Sequence, residues 1–97
     1  MNLILERRAE IALRSLRGAD RTQVMRALDE LQVLDGQELR QRHSVQKVSL
    51  AGDNSLFIAI GGKRLRLVLS LEGELCRVLD ILNHDRLTRL LRERGAR

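Results

Sequence analysis

The sequence predicts an α+β domain: an N-terminal helical hairpin and a short C-terminal helix packed on a twisted antiparallel sheet. Two observations carry that reading. Apolar side chains recur at helical spacing between Ala9 and Leu31, and they alternate with period two between Leu56 and Leu71 across glycine-bearing turns. A third is the nearly continuous apolar run Leu75–Leu82, which suits a well-buried strand ahead of a final helix. Helices segregated to one face of a sheet are the expected layering.

Each element follows in order. Asn2–Leu5 is short and apolar, a first or edge strand. Ala9, Ala12, Leu13 and Leu16 share a helical face, and Gly18 is placed to end that helix. Asp20 then begins a second helix, with Gln23 three residues on as in a capping box. Val24, Ala27, Leu28 and Leu31 form its apolar stripe, and Asp35-Gly36 closes it. Residues 37–44 are polar, a loop or a short helical turn. Residues 45–50 are weakly strand-like, and Ala51-Gly52-Asp53-Asn54 signals a turn.

The following strands are expected at 55–60, 63–71 and 75–82, joined at Gly61-Gly62 and Glu72-Gly73. Leu56, Ile58 and Ile60 fall on one face of the first. Leu87, Leu90 and Leu91 make the last helix amphipathic, and residues 92–97 form a basic tail expected to fray.

At 97 residues the chain reads as one domain, 1–97, long enough for a core without disulfides or a structural metal. The net charge of +5 points to a polyanion or an acidic protein as partner. Cys76 is the one cysteine, so intrachain disulfides and cysteine-rich zinc sites are excluded, and a buried core role is expected for it. No metal and no cofactor is implied. No apolar run reaches the length of a signal peptide or a membrane span, and a cytoplasmic location is expected. Phe57 is the one aromatic residue, which removes readers that stack bases on exposed rings. Phosphate-loop spacing is absent too, which argues against nucleotide hydrolysis.

The segment Lys63-Arg64-Leu65-Arg66-Leu67-Val68-Leu69-Ser70-Leu71 carries the chemistry. Its alternation puts Leu65, Leu67, Leu69 and Leu71 on one face and Arg64 and Arg66 on the other. Each buried leucine contributes roughly 1.5–3 kcal/mol, so the leucine face needs no functional explanation. Guanidinium groups held side by side on a strand suit phosphates or acidic peptides. An exposed arginine on a polar sheet face reads the same way in the absence of a ligand. His84 stands just beyond the last strand, either as a proton donor or as a loop residue at a helix start with Asp85 as cap. Asp80 interrupts an apolar strand and is expected to pair with an arginine of the sheet, Arg66 or Arg77.

The order of these motifs resembles the RelE/ParE superfamily of toxins from bacterial type II toxin–antitoxin systems. Glu6-Arg7-Arg8-Ala9 leads into two short helices, as in the family's N-terminal hairpin. Lys63–Leu69 resembles the family's G-x-R-hydrophobic strand, with Arg66 at the arginine position. Val78–Arg86 resembles the last strand running into a G-H-R type ending. The resemblance spans essentially the whole chain.

The resemblance implies a toxin neutralised by an acidic antitoxin peptide laid across it. RelE-like members cleave mRNA on the ribosome, acting through the ribose 2′-hydroxyl, whereas ParE-like members inhibit DNA gyrase. For cleavage, Arg66 takes the phosphate and His84 the leaving oxygen, with Arg64, Lys63 and Arg86 as further RNA contacts. RelE-like members keep lysines on the preceding strand, and some end in a tyrosine. Here Leu56–Ile60 carries no lysine and the tyrosine is absent, so the base stays open between Asp80, His43 and the ribosome itself. A DNA-binding module using residues 20–34 as a recognition helix is the reading outside the family. Arg21 and Arg26 there are offset by Asp29 and Glu30.

Overall fold

The computed structural model describes residues 1–49 and 55–93. The expected turn at 51–54 and most of the basic tail lie outside the described residues. The chain runs β1 (Asn2–Leu5), α1 (Arg7–Ser15), α2 (Gly18–Gln32), α3 (Gly36–Gln41), β2 (Val45–Ser49), β3 (Ser55–Ile60), β4 (Leu65–Glu72), β5 (Leu75–Asn83) and α4 (His84–Glu93). The strands form one five-stranded sheet in the order β1-β5-β4-β3-β2.

The α+β architecture is as expected, and β2 to β5 form an antiparallel meander. β1 is an edge strand, but it departs from the antiparallel pattern. It pairs parallel to β5, Asn2 against Leu75 through Leu5 against Val78. The α1–α3 segment lies between β1 and the meander, and a parallel pair needs such a long connection.

The two faces of the sheet are filled differently. Ala9, Val24, Leu28, Leu31 and Leu39 from the first three helices close over Phe57, Ala59, Leu67, Leu69, Cys76, Val78 and Ile81. Val48, Ile58, Val68 and Leu82 face the other way, beneath Leu87 of α4. The expectation of helices on one face is therefore corrected: the C-terminal helix takes the opposite face. The alternation permits this because both sets of β4 and β5 positions carry apolar residues beyond the leucine face.

A register shift sits between Val68 and Leu69: Val68 lies across from Asp80 and Leu69 from Val78, leaving Leu79 as the extra residue. Leu79 packs with the second cluster as a result. A bulge thus explains why Leu75–Leu82 shows no clean period of two.

Local expectations shift in four places. The first helix stops at Ser15, not at Gly18; Gly18 instead opens α2, and its φ of +57° is a conformation that glycine adopts without a Cβ penalty. Asp20 is not a cap, since α2 has no side-chain cap, and Gln23 reaches away to accept a hydrogen bond from the Lys63 N–H at 3.3 Å. Asp35 does not close α2 but caps α3: its carboxylate accepts from the Glu38 N–H while Glu38 accepts from the Asp35 N–H. Strand β4 begins at Leu65, so Lys63 and Arg64 belong to the turn, which the Gly61 N–H closes onto the Leu65 carbonyl at 3.0 Å.

Gly62 leaves room in that turn for the Gln23 side chain, which a larger residue would displace. A Cβ there would come within 2.6 Å of Gln23 Oε1, the atom that holds Lys63.

Candidate functional site

The site lies at the end of the sheet where β4 begins and β5 finishes. Register brings the sequence-predicted residues there. Leu65 lies opposite Asn83, and Arg66 opposite Leu82 on one side and Ile60 on the other. One step beyond the ladder, the His84 N–H donates to the Arg64 carbonyl at 2.7 Å. Lys63, Arg64, Arg66 and His84 are thereby assembled around one hairpin mouth, and Arg86 follows on the first turn of α4.

Arg66 is half-buried, and its direction is fixed. Nη1 donates to the Gly62 carbonyl at 3.2 Å and to the Leu65 carbonyl at 2.9 Å. Nε and Nη2 make no hydrogen bond among the described residues, so those donors stay open to a ligand oxygen. Anchoring one nitrogen while leaving others open lowers the rotamer entropy lost when an anion binds.

His84 is exposed and starts α4. Its Nδ1 lies 3.6 Å from Asp85 Oδ1, a contact that counts electrostatically only when the ring is protonated. The cap of this helix is not Asp85, as expected, but Asn83, whose Oδ1 accepts from the Asp85 N–H at 2.9 Å. His84 thus stands directly after a capped strand-to-helix corner, with its main chain held from both sides and its ring in solvent.

The candidate bases are not gathered in. Lys47 lies opposite Phe57, and cross-strand partners share a face, so it points to the face covered by α1–α3, away from Arg66. His43 lies ahead of β2 and is exposed. Asp80 belongs to a different feature, an apolar groove of about 260 Å³ between α4 and β3–β5 floored by Leu56, Val68, Leu79 and Leu82.

The expected partners of Asp80 are corrected. Arg66 bends back to its own hairpin, and Arg77 Nη1 donates to Glu6 Oε1 at 3.2 Å. Asp80 Oδ2 instead lies 3.9 Å from Arg8 Nη1, and Oδ1 accepts from the Ile81 N–H at 2.8 Å. The arginine comes from α1 because the bulge at Leu79 turns Asp80 toward the groove mouth, where that helix begins. Sequence reasoning passed over Arg8, Glu6 and Asn83. An Asn directly before a helical leucine pattern was the available signal for the last. Cys76 is fully buried, as expected, and burial pushes its thiol up to about 11.

No family model and no curated protein matches this chain. Among solved structures, it is similar to a chain in the crystal structure of the archaeal RelE–RelB complex from Pyrococcus horikoshii OT3. The two are 22% identical, the match covers 88% of this chain and 96% of that one, and the TM-score is 0.66. The fold described above is therefore RelE-like.

Proposed function

We propose that this chain is the toxin of a type II toxin–antitoxin system and that it acts as a ribosome-associated mRNA endoribonuclease in the cytoplasm. The observation that carries the reading is the register of β4 on β5, which sets the Arg66 guanidinium and the His84 ring at one end of the sheet. The RelE-like fold supports it, since function has to be argued from a site and the fold raises the prior.

In this reading the ribose 2′-hydroxyl attacks the neighbouring phosphorus and the bond to the 5′-oxygen of the next nucleotide breaks. A 2′,3′-cyclic phosphate and a 5′-hydroxyl result. Arg66, through its open donors, neutralises the charge that builds on the non-bridging oxygens. The protonated His84 imidazole gives its proton to the departing 5′-oxygen. Arg64, Lys63 and Arg86 hold flanking phosphates. β3 offers no lysine for the 2′-hydroxyl proton, and that proton is assigned to a group of the ribosome.

The partner in the cell is an acidic antitoxin. The net charge of +5 favours it, and the apolar groove beside α4 gives its side chains a seat. The neighbour from Pyrococcus horikoshii was itself solved as a RelE–RelB complex. No helix among the described residues is long and apolar enough to cross a membrane.

Primer extension on mRNA from cells expressing the protein tests the reading. New 5′ ends within coding sequence are the expected result. Intact messages together with a loss of DNA supercoiling would replace it with gyrase inhibition.

A further inference from the structure

Ile60 ends β3 with 53% of its surface exposed. Scattered exposed aliphatic residues are ordinary on protein surfaces, and Ile4, Ile11 and Val33 need no special role. Ile60 differs in what stands beside it. It is the direct cross-strand partner of Arg66, so the two side chains emerge on the same face with Cβ atoms about 4.5–5.5 Å apart. That face is otherwise closed by Val48, Ile58, Val68 and Leu82 under Leu87, and the cover stops short of Ile60. The one aromatic ring of the chain, Phe57, is buried on the opposite face and offers nothing to a base.

We infer that Ile60 is the contact surface for a nucleobase next to the phosphate held by Arg66. The inference rests on the RNA-cleavage reading and adds the group that holds the base. The Arg66 guanidinium, anchored to the Gly62 and Leu65 carbonyls, fixes where the phosphate sits. The base on that nucleotide then has an apolar face to cover and Ile60 to cover it with. A branched aliphatic side chain packs against any base and offers no hydrogen-bond donor or acceptor, so Ile60 supplies affinity without reading sequence. It takes the place of the aromatic platform that this chain lacks.

The test is single-turnover cleavage of a short synthetic messenger on purified ribosomes, with the protein concentration varied. Ile60→Ala is expected to raise the half-saturating concentration about three- to tenfold, a modest fraction of what an aromatic stack supplies. The rate at saturation stays near that of the parent, because the phosphate and proton groups are untouched. Ile60→Thr, which keeps the branched shape that a strand favours, repeats the loss; Ile60→Leu restores affinity. A messenger with an abasic nucleotide beside the cleaved bond weakens the parent by the same factor and leaves Ile60→Ala unaffected. If Ile60→Ala and Ile60→Thr saturate as the parent does, or if the abasic penalty persists in Ile60→Ala, the base contact is overturned while cleavage stands. A parent protein that leaves the messenger intact overturns both.

Discussion

The main-chain N–H of His84 donates to the Arg64 carbonyl at 2.7 Å, which extends the β4–β5 ladder by one step beyond Asn83. The first residue of α4 is thus tied to the turn that carries Lys63 and Arg64. His84, Lys63 and Arg64 are thus positioned by backbone geometry, and their side chains are exposed.

Arg66→Ala and His84→Ala are expected to relieve growth arrest while leaving the fold intact. Losing a preorganised charge costs about 10²–10³-fold in rate, and losing a general acid on the order of 10²–10⁴-fold. Neither side chain belongs to the buried clusters, so thermal melts followed by circular dichroism should match the parent. Full toxicity from both folded variants would defeat the catalytic assignment, and a supercoiling assay would then test gyrase.

Asn83→Ala removes the cap of α4. The expected cost is about 1 kcal/mol, a drop in Tm of roughly 4–8 °C for a domain of this size. Activity should fall as well, because the corner presenting His84 loosens. An unchanged Tm would show that the Asn83 to Asp85 hydrogen bond contributes nothing to holding the corner.

Asp80→Leu should be neutral or stabilising. The carboxylate sits at an apolar groove and its ion pair with Arg8 is long, with the arginine largely in solvent, so the pair is worth at most about 1 kcal/mol. For the same reason Arg8→Ala should change the urea midpoint little. A large loss of stability in Arg8→Ala would show a stronger pair than the 3.9 Å separation implies, and a loss confined to Asp80→Leu would report the hydrogen bond from the Ile81 N–H instead.

Cys76 gives a pH dependence with a definite sign. Burial raises the folded-state value from 9.0 to about 11, so the unfolded chain loses the thiol proton first. The unfolded state binds fewer protons in that window, and stability falls as pH rises from about 9 to 11. Below the lower value both states are protonated and the group contributes no slope. Comparing urea midpoints of the parent and Cys76→Ala across this range checks it: the variant should show a flatter decline. The native thiol should also react slowly with alkylating reagents at pH 8.

Under the proposed reading, isothermal titration with the cognate acidic antitoxin should give a tight complex. Leu56→Asp, in the floor of the groove beside α4, should weaken it. Absence of binding at micromolar concentration would reject the antitoxin reading.

The sequence carried the parts of this structure that depend on local periodicity. The alternation around Leu65–Leu71 gave a strand with Arg66 turned off the leucine face, and Leu56, Ile58 and Ile60 do share a face. What it did not carry depends on long-range closure. The parallel pairing of Asn2–Leu5 cannot be read from four residues, because strand direction is set by the connection and not by the strand. The bulge at Leu79 hid the face of Asp80, and with it the identity of its partner. Gly18 and Asp35 were given to the end of one helix and belong to the start of the next, because Gly and Asp signal both, and the cap of α4 lies at Asn83, two residues before the expected Asp85. For the candidate site, Arg66 and His84 lie at the same end of the β4–β5 pair, and the sequence marked both; Ile60 carried no mark, since an exposed isoleucine looks like a buried one until its neighbours are placed.

The parallel pair of Asn2–Leu5 with Leu75–Val78 has a consequence for synthesis. β1 leaves the ribosome long before β5 and has no ladder partner until β5 arrives, and the Arg66–His84 end of the sheet forms only after β5 is complete. Such non-local closure is slow because its loop entropy is lost before its contacts form. A growing chain therefore holds no assembled site. Under the proposed reading, the ribosome that makes this protein is spared by topology until translation of the domain is nearly finished.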